Sequence, residues 1–170
     1  LHYEGRSANH HGMPRFSHAS FDAAYPFGQV NLSDESLPVK VRIKAFNPLV
    51  PANADDSGMP VAVLTYEVEN LTSAPLEAAV CGSARNFVGK DGSLFRTNWK
   101  GDYIPQGAKQ NRNVFRQEGN ISGIYMYSEG VEKDSPAFGT IAITTEAVDG
   151  VSYRTSSRPE LWYTSILDFW

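Results

Sequence analysis

The feature that most restricts what this chain can become is a two-residue alternation. In LPVKVRIKAF, residues 37–46, Val39, Val41, Ile43 and Ala45 share one parity while Lys40, Arg42 and Lys44 share the other. Successive side chains of a strand point to opposite faces, so the segment suits a strand with one apolar and one wet face. A second such run follows in PVAVLTYEVEN, residues 60–70, where Val61, Val63, Leu64, Tyr66 and Val68 are residue types that fit a pleated surface. It closes on NLTSAP, a cluster of turn formers.

Between the two runs lies NPLVPANADDSGMP, residues 47–60. Pro48, Pro51 and Pro60 each lack the N–H that a regular ladder needs, so a broken connection arching from one sheet to the other is expected here. Asp55, Asp56 and Ser57 would then offer side-chain acceptors to the backbone of a bend before Gly58. A calcium site draws on about six to eight oxygens, more than Asn53, Asp55 and Asp56 supply. Adjacent carboxylates also differ from a glycosidase pair, which flanks a sugar at roughly 5–9.5 Å.

Further strands are expected at LEAAVCGS (residues 76–83, an antiparallel partner for the run before it), SGIYMYS (122–128), FGTIAITTEA (138–147) and VSYRTSS (151–157), the last after a hairpin turn at Asp149-Gly150. Residues 84–120 hold Gly, Asn, Gln and Arg with isolated aromatics, which predicts long loops with one or two short strands. No window of ten or more residues has a helical pattern. Short strands separated by Gly and Pro turns predict an all-β antiparallel sandwich over residues 24–170, itself part of a larger sandwich domain, preceded by a loop-rich arm at 1–23.

A chain of 170 residues is long enough to bury about 70% of its unfolded surface around one core. The net charge of −4, with Lys and Arg scattered rather than striped, excludes nucleic acid as the main partner. No stretch approaches the roughly 20 apolar residues of a membrane-spanning helix. Cys81 is the single cysteine, which excludes an internal disulfide framework and cysteine-based zinc, and it reads as a small buried hydrophobe. This usage suits the cytoplasm and a bacterial periplasm alike. His2, His10, His11 and His18 fall in the first 18 residues, where adjacent His10 and His11 point apart in extended chain. They read as solvated or interface histidines, and neither a metal nor a cofactor is expected.

Gly-x-Ser-x-Gly, a phosphate-cradling glycine loop and His-Glu-x-x-His are all missing, so the common hydrolase, kinase and zinc-protease readings lack their parts. The segment GSARNFVGKDGSLFRTNWKGDY, residues 82–103, is more informative. It joins amides and cations to aromatic rings, with Arg85, Asn86, Trp99 and Tyr103 as the candidate contact residues. Rings beside amide and cationic donors suit a pyranose, which offers both C–H faces and hydroxyls, and they equally suit a domain interface or loop packing.

The order of blocks YPFGQV, LPVKVRIKAFNPLVPANADDSGMPVAVLTYEVEN, GSARNFVG, VSYRT and ILDFW resembles the N-terminal domain of glycoside hydrolase family 116, the non-lysosomal glucosylceramidases and related β-glucosidases. The most specific block is the long one from Leu37 to Asn70, and the likeness runs over residues 24–170. It implies a β-sandwich followed in the parent polypeptide by a helical barrel holding a Glu nucleophile and an Asp acid/base. Neither of those carboxylates has a counterpart position in this sequence. The resemblance therefore implies a non-catalytic domain of a retaining glycosidase, packed on the barrel and lending loops to the rim over a glycan or glycolipid substrate. The chain stops on the apolar Phe169 and Trp170, which fits a portion of something larger. An autonomous carbohydrate-binding or adhesion sandwich is the alternative, with Trp99 and Tyr103 as its contacts.

Overall fold

The computed structural model describes residues 15–89, 95–105, 110–156 and 168–169. They form an all-β, antiparallel molecule with one short helix and no closed barrel, and its two larger sheets are those a β-sandwich requires. The chain divides into two compact units between Val80 and Cys81.

The first unit holds a sheet of four strands in sequence order: β1 (His18–Ala24), β2 (Phe27–Ser33), β3 (Val39–Phe46) and β4 (Val63–Asn70). Regular pairing thus begins at His18, inside the stretch that composition marks as an arm. β3 bonds to both neighbours, and its exposure alternates residue by residue as its parity demands. Register sets Val30, Ile43 and Tyr66 in one row of the apolar face, while Asn31, Arg42 and Glu67 form a row of the polar face. The apolar face stays open towards its margins, where Phe21 is 67% and Leu64 56% exposed.

β3 and β4 are neighbours in one sheet, so the proline-rich segment is not a crossover between sheets. It leaves β3 and returns beside it. Its centre is a one-turn helix, α1 (Ala54–Ser57), capped by Asn53 rather than by the carboxylates. Asp56 N donates to Asn53 Oδ1 at 3.1 Å, and Asn53 Nδ2 donates to Asp56 Oδ2 at 2.6 Å. Ser57 Oγ closes the excursion by accepting from Val50 N and donating to Val50 O, both at 2.9 Å. The acidic pair is thus the first turn of a helix, where negative charge meets the free backbone N–H groups.

The second unit holds a two-stranded hairpin, β5 (Phe95–Thr97) with β6 (Tyr103–Pro105), and a three-stranded sheet, β7 (Asn111–Glu118), β8 (Ile121–Ser128) and β9 (Ile141–Thr145). β8 is central, and Ser122, Met126 and Ser128 on one of its faces are buried. Two segments expected to be strands join no ladder. Residues 76–83 are irregular because Ala, Gly and Ser fit a pleat poorly, and a side chain at Gly82 would lie 3.0 Å from Ile143. Residues 151–156 also form no strand, although Gly150 turns with φ +69 as expected. This stretch is held through side chains instead. Tyr153 stacks on Phe115 with ring centroids 3.9 Å apart, and Thr155 O accepts from Asn113 Nδ2 at 2.7 Å.

Met126 is the most buried large side chain described, at 2% exposure, and its truncation leaves a cavity beneath β8. Met126→Ala is expected to cost about 2–5 kcal/mol in chemical denaturation. A Cβ at Gly123 would stand 2.1 Å from Ile143 O, which is backbone and cannot step aside. Gly123→Ala is expected to destabilise by about 1–3 kcal/mol through this clash, against well under 1 kcal/mol for a tolerated surface change.

Candidate functional site

The candidate segment splits into two structures with different physics. Its first part, around Arg85 and Asn86, is a structural clamp. Asn86 Nδ2 shares its two hydrogens among Arg112 O at 3.1 Å, Asn113 Oδ1 at 2.9 Å and Tyr127 O at 3.1 Å. Asn86 Oδ1 accepts from Val88 N at 3.1 Å and from Asn111 Nδ2 at 3.2 Å. An amide offers two donors and an oxygen with two lone pairs, so Asn86 spends its capacity within the fold. Val88 follows at 5% exposure, and Arg85 is exposed.

The second part is the tip of the β5–β6 hairpin. Asn98 Oδ1 accepts from Lys100 N at 2.8 Å and Asp102 N at 3.0 Å, while Asn98 Nδ2 donates to Asp102 Oδ2 at 2.8 Å. Gly101 completes the turn at φ +83, a region glycine enters without a Cβ penalty. This bonding presents Trp99 outward at 89% exposure, with Lys100 Nζ 5.0 Å from its ring centroid. A solvated cation–π contact is worth about 0.5–1 kcal/mol, whereas burying an indole against a partner is worth up to roughly 4–6 kcal/mol by area. Lys100 therefore does not account for the ring's position, and the turn beneath it does. Asn98, one of the amides of the candidate segment, serves the turn here, and its partner Asp102 is not among the sequence candidates, although an Asn four residues before an Asp with Gly between is a readable turn signal.

Tyr103 opens β6 opposite Thr97. No hydrogen bond, ion pair or ring contact joins Asn86 to Trp99 among the described residues. The candidate residues are therefore a clamp and a presented ring rather than one cluster.

Residues 3–167 match the family profile described as beta-glucosidase 2, glycosyl-hydrolase family 116 N-term. The chain belongs to this family of N-terminal domains. A search of curated proteins returned no match. Membership in family 116 implies a larger polypeptide that also carries a catalytic domain. Two short blocks of the family resemblance meet within the second unit: Arg154 donates to Asp168 Oδ2 at 2.6 Å and lies 5.4 Å from the Phe169 ring.

The electrostatics of this family 116 domain run against acid catalysis at its two perturbed carboxyls. Hydrogen bonding from Lys44, with further attraction from Arg42, lowers the Glu67 carboxyl. Donation from Ser36 and Ser17 holds Asp34 well below the usual carboxylate range. A glycosidase general acid needs the opposite shift, a carboxyl raised so that it keeps its proton. Among the described residues no group of three or more His, Cys, Asp or Glu is placed to hold a metal ion. His18 is exposed on β1, whereas His2, His10 and His11 lie outside the described residues. No described helix is long and apolar enough to cross a membrane.

The Asp34 bonds tie Ser17, just ahead of β1, to the turn between β2 and β3. Because the folded carboxyl titrates below its ordinary value of 3.8, the bonded anion adds stability above that pH and loses it as acid protonates the group. The melting-temperature advantage of the wild type over Asp34→Asn should be present at neutral pH and shrink as pH falls through and below 3.8. An advantage independent of pH would contradict this assignment.

Proposed function

We propose that this chain is a non-catalytic β-sandwich domain of a β-glucosidase or glucosylceramidase-type hydrolase, packing on a helical-barrel catalytic domain of the same polypeptide. Arg85, Trp99 and Tyr103 are its contact candidates for that interface or for the glycan or glycolipid rim beside it. Asn86 serves the same segment by holding it in place.

The observation that carries the reading is Trp99. A large ring at 89% exposure on a turn held by Asn98 and Asp102 is an anchor whose ordering cost is already met by the fold.

The test pairs the isolated chain with the full polypeptide. The chain alone is expected to leave aryl β-glucosides intact. In the full polypeptide, Trp99→Ala should weaken coupling between the two domains by about 2 kcal/mol or more, read as separation of their unfolding transitions in calorimetry. Turnover by the chain alone, lost on substituting one of its own carboxylates, would overturn the reading.

A further inference from the structure

The polar face of the four-stranded sheet carries linked side-chain hydrogen bonds across its strands. Asn31 Nδ2 donates across the strand pair to Asp22 Oδ2 at 2.9 Å and to Ser20 Oγ at 3.3 Å, and Gln29 Nε2 donates to Asn31 Oδ1 at 2.9 Å. On the far side Arg42 and Lys44 both donate to the Glu67 carboxylate. Each bond holds a side chain that would otherwise sample several rotamers, so the polar groups are fixed in rows set by register.

Three further properties narrow what such a face can hold. The strip bears three cations, Lys40, Arg42 and Lys44, against three anions, Asp22, Glu67 and Glu69, on one parity of the sheet. A balanced strip has no net attraction for phosphate, sulfate or polycations. An open hollow of about 520 Å³, lined by residues including Asn31, Lys40, Arg42 and Glu67, lies over its Lys40 end. At the other end Phe27 and Phe46 face each other in register, 61% and 40% exposed, with ring centroids 6.1 Å apart. From Lys40 to Phe46 the strand rises about 20 Å, longer than a single sugar ring requires.

We propose that this face binds a neutral oligosaccharide. Its hydroxyls exchange hydrogen bonds with the fixed amide, carboxylate and cationic groups, and one pyranose C–H face lies against the Phe27–Phe46 pair. The inference does not depend on Trp99 or on the packing of a catalytic domain.

Titration calorimetry of the full chain, produced without N-glycosylation because Asn31 begins Asn31-Leu32-Ser33, tests it with cellotetraose, maltotetraose and a sulfated tetrasaccharide. At least one neutral tetrasaccharide should bind, with affinity falling roughly tenfold in Asn31→Ala and in Phe46→Ala. Lys40→Ala, at an exposed position, keeps the test decisive should either of those variants unfold, and it should weaken binding in the same direction. Lys133→Ala, at an exposed position in the second unit, should leave this affinity unchanged, which separates the site from general surface charge. The proposal is overturned by neutral-sugar affinities that all three sheet variants leave unaltered, by tighter binding of the sulfated sugar, or by no binding of any neutral tetrasaccharide.

Discussion

The ladder that β3 makes with β2 on one side and β4 on the other is the constraint on which the first unit depends. Because side chains alternate with period two, a slip of one residue would carry Val41 and Ile43 to the wet face and Arg42 and Lys44 to the apolar one. Burying cations without partners costs far more than the ladder returns, so the register is selected by chemistry as well as by backbone geometry. That register lines Asn31, Arg42 and Glu67 into one row and sets Phe27 beside Phe46. The fold and the surface proposed to bind sugar thus have one cause.

The second unit solves a different problem. Its sheet has three strands, and residues 76–83 and 151–156 join no ladder. Irregular backbone in a folded unit must satisfy its own N–H and C=O groups, and here asparagine amides do so. Asn111 Nδ2 donates to Asn86 Oδ1 and to Val88 O, Asn86 Nδ2 reaches the carbonyls of Arg112 and Tyr127, and Asn113 Nδ2 donates to Thr155 O. One atom, Asn111 Oδ1, is buried without a hydrogen-bond partner among the described residues. The same economy of small Asn-centred motifs recurs at Asn53, which caps α1, and at Asn98, which presents Trp99.

Strands were legible where apolar parity is strong and obscure where it is not. β3, β4, β8 and β9 stand close to where LPVKVRIKAF, PVAVLTYEVEN, SGIYMYS and FGTIAITTEA predict them. β1, β2 and β7 were missed because HASFDAA, FGQVNLS and NRNVFRQE mix small and polar residues on both parities, and their pairing is decided by neighbours rather than by propensity. Residues 76–83 and 151–156 form no ladder despite their apolar residues; Tyr153 stacks on Phe115 instead, while Leu76 and Val80 stay exposed. At the candidate site the sequence names Trp99 as one ring among several, while its exposure comes from the turn that Asn98 and Asp102 build. The clamp role of Asn86 could not be read, since its acceptors are backbone carbonyls brought together only by the fold.

The ring that Asn98 and Asp102 present at Trp99 is the feature on which the proposed positioning role rests. The most direct test is to capture the native polypeptide from its source cells with an antibody to this chain, then measure its mass and its hydrolysis of an aryl β-glucoside. The account predicts a species far heavier than 18.7 kDa whose β-glucosidase activity co-purifies with the captured chain. A native product of about this mass, or a heavier one without glycosidase activity, would contradict it.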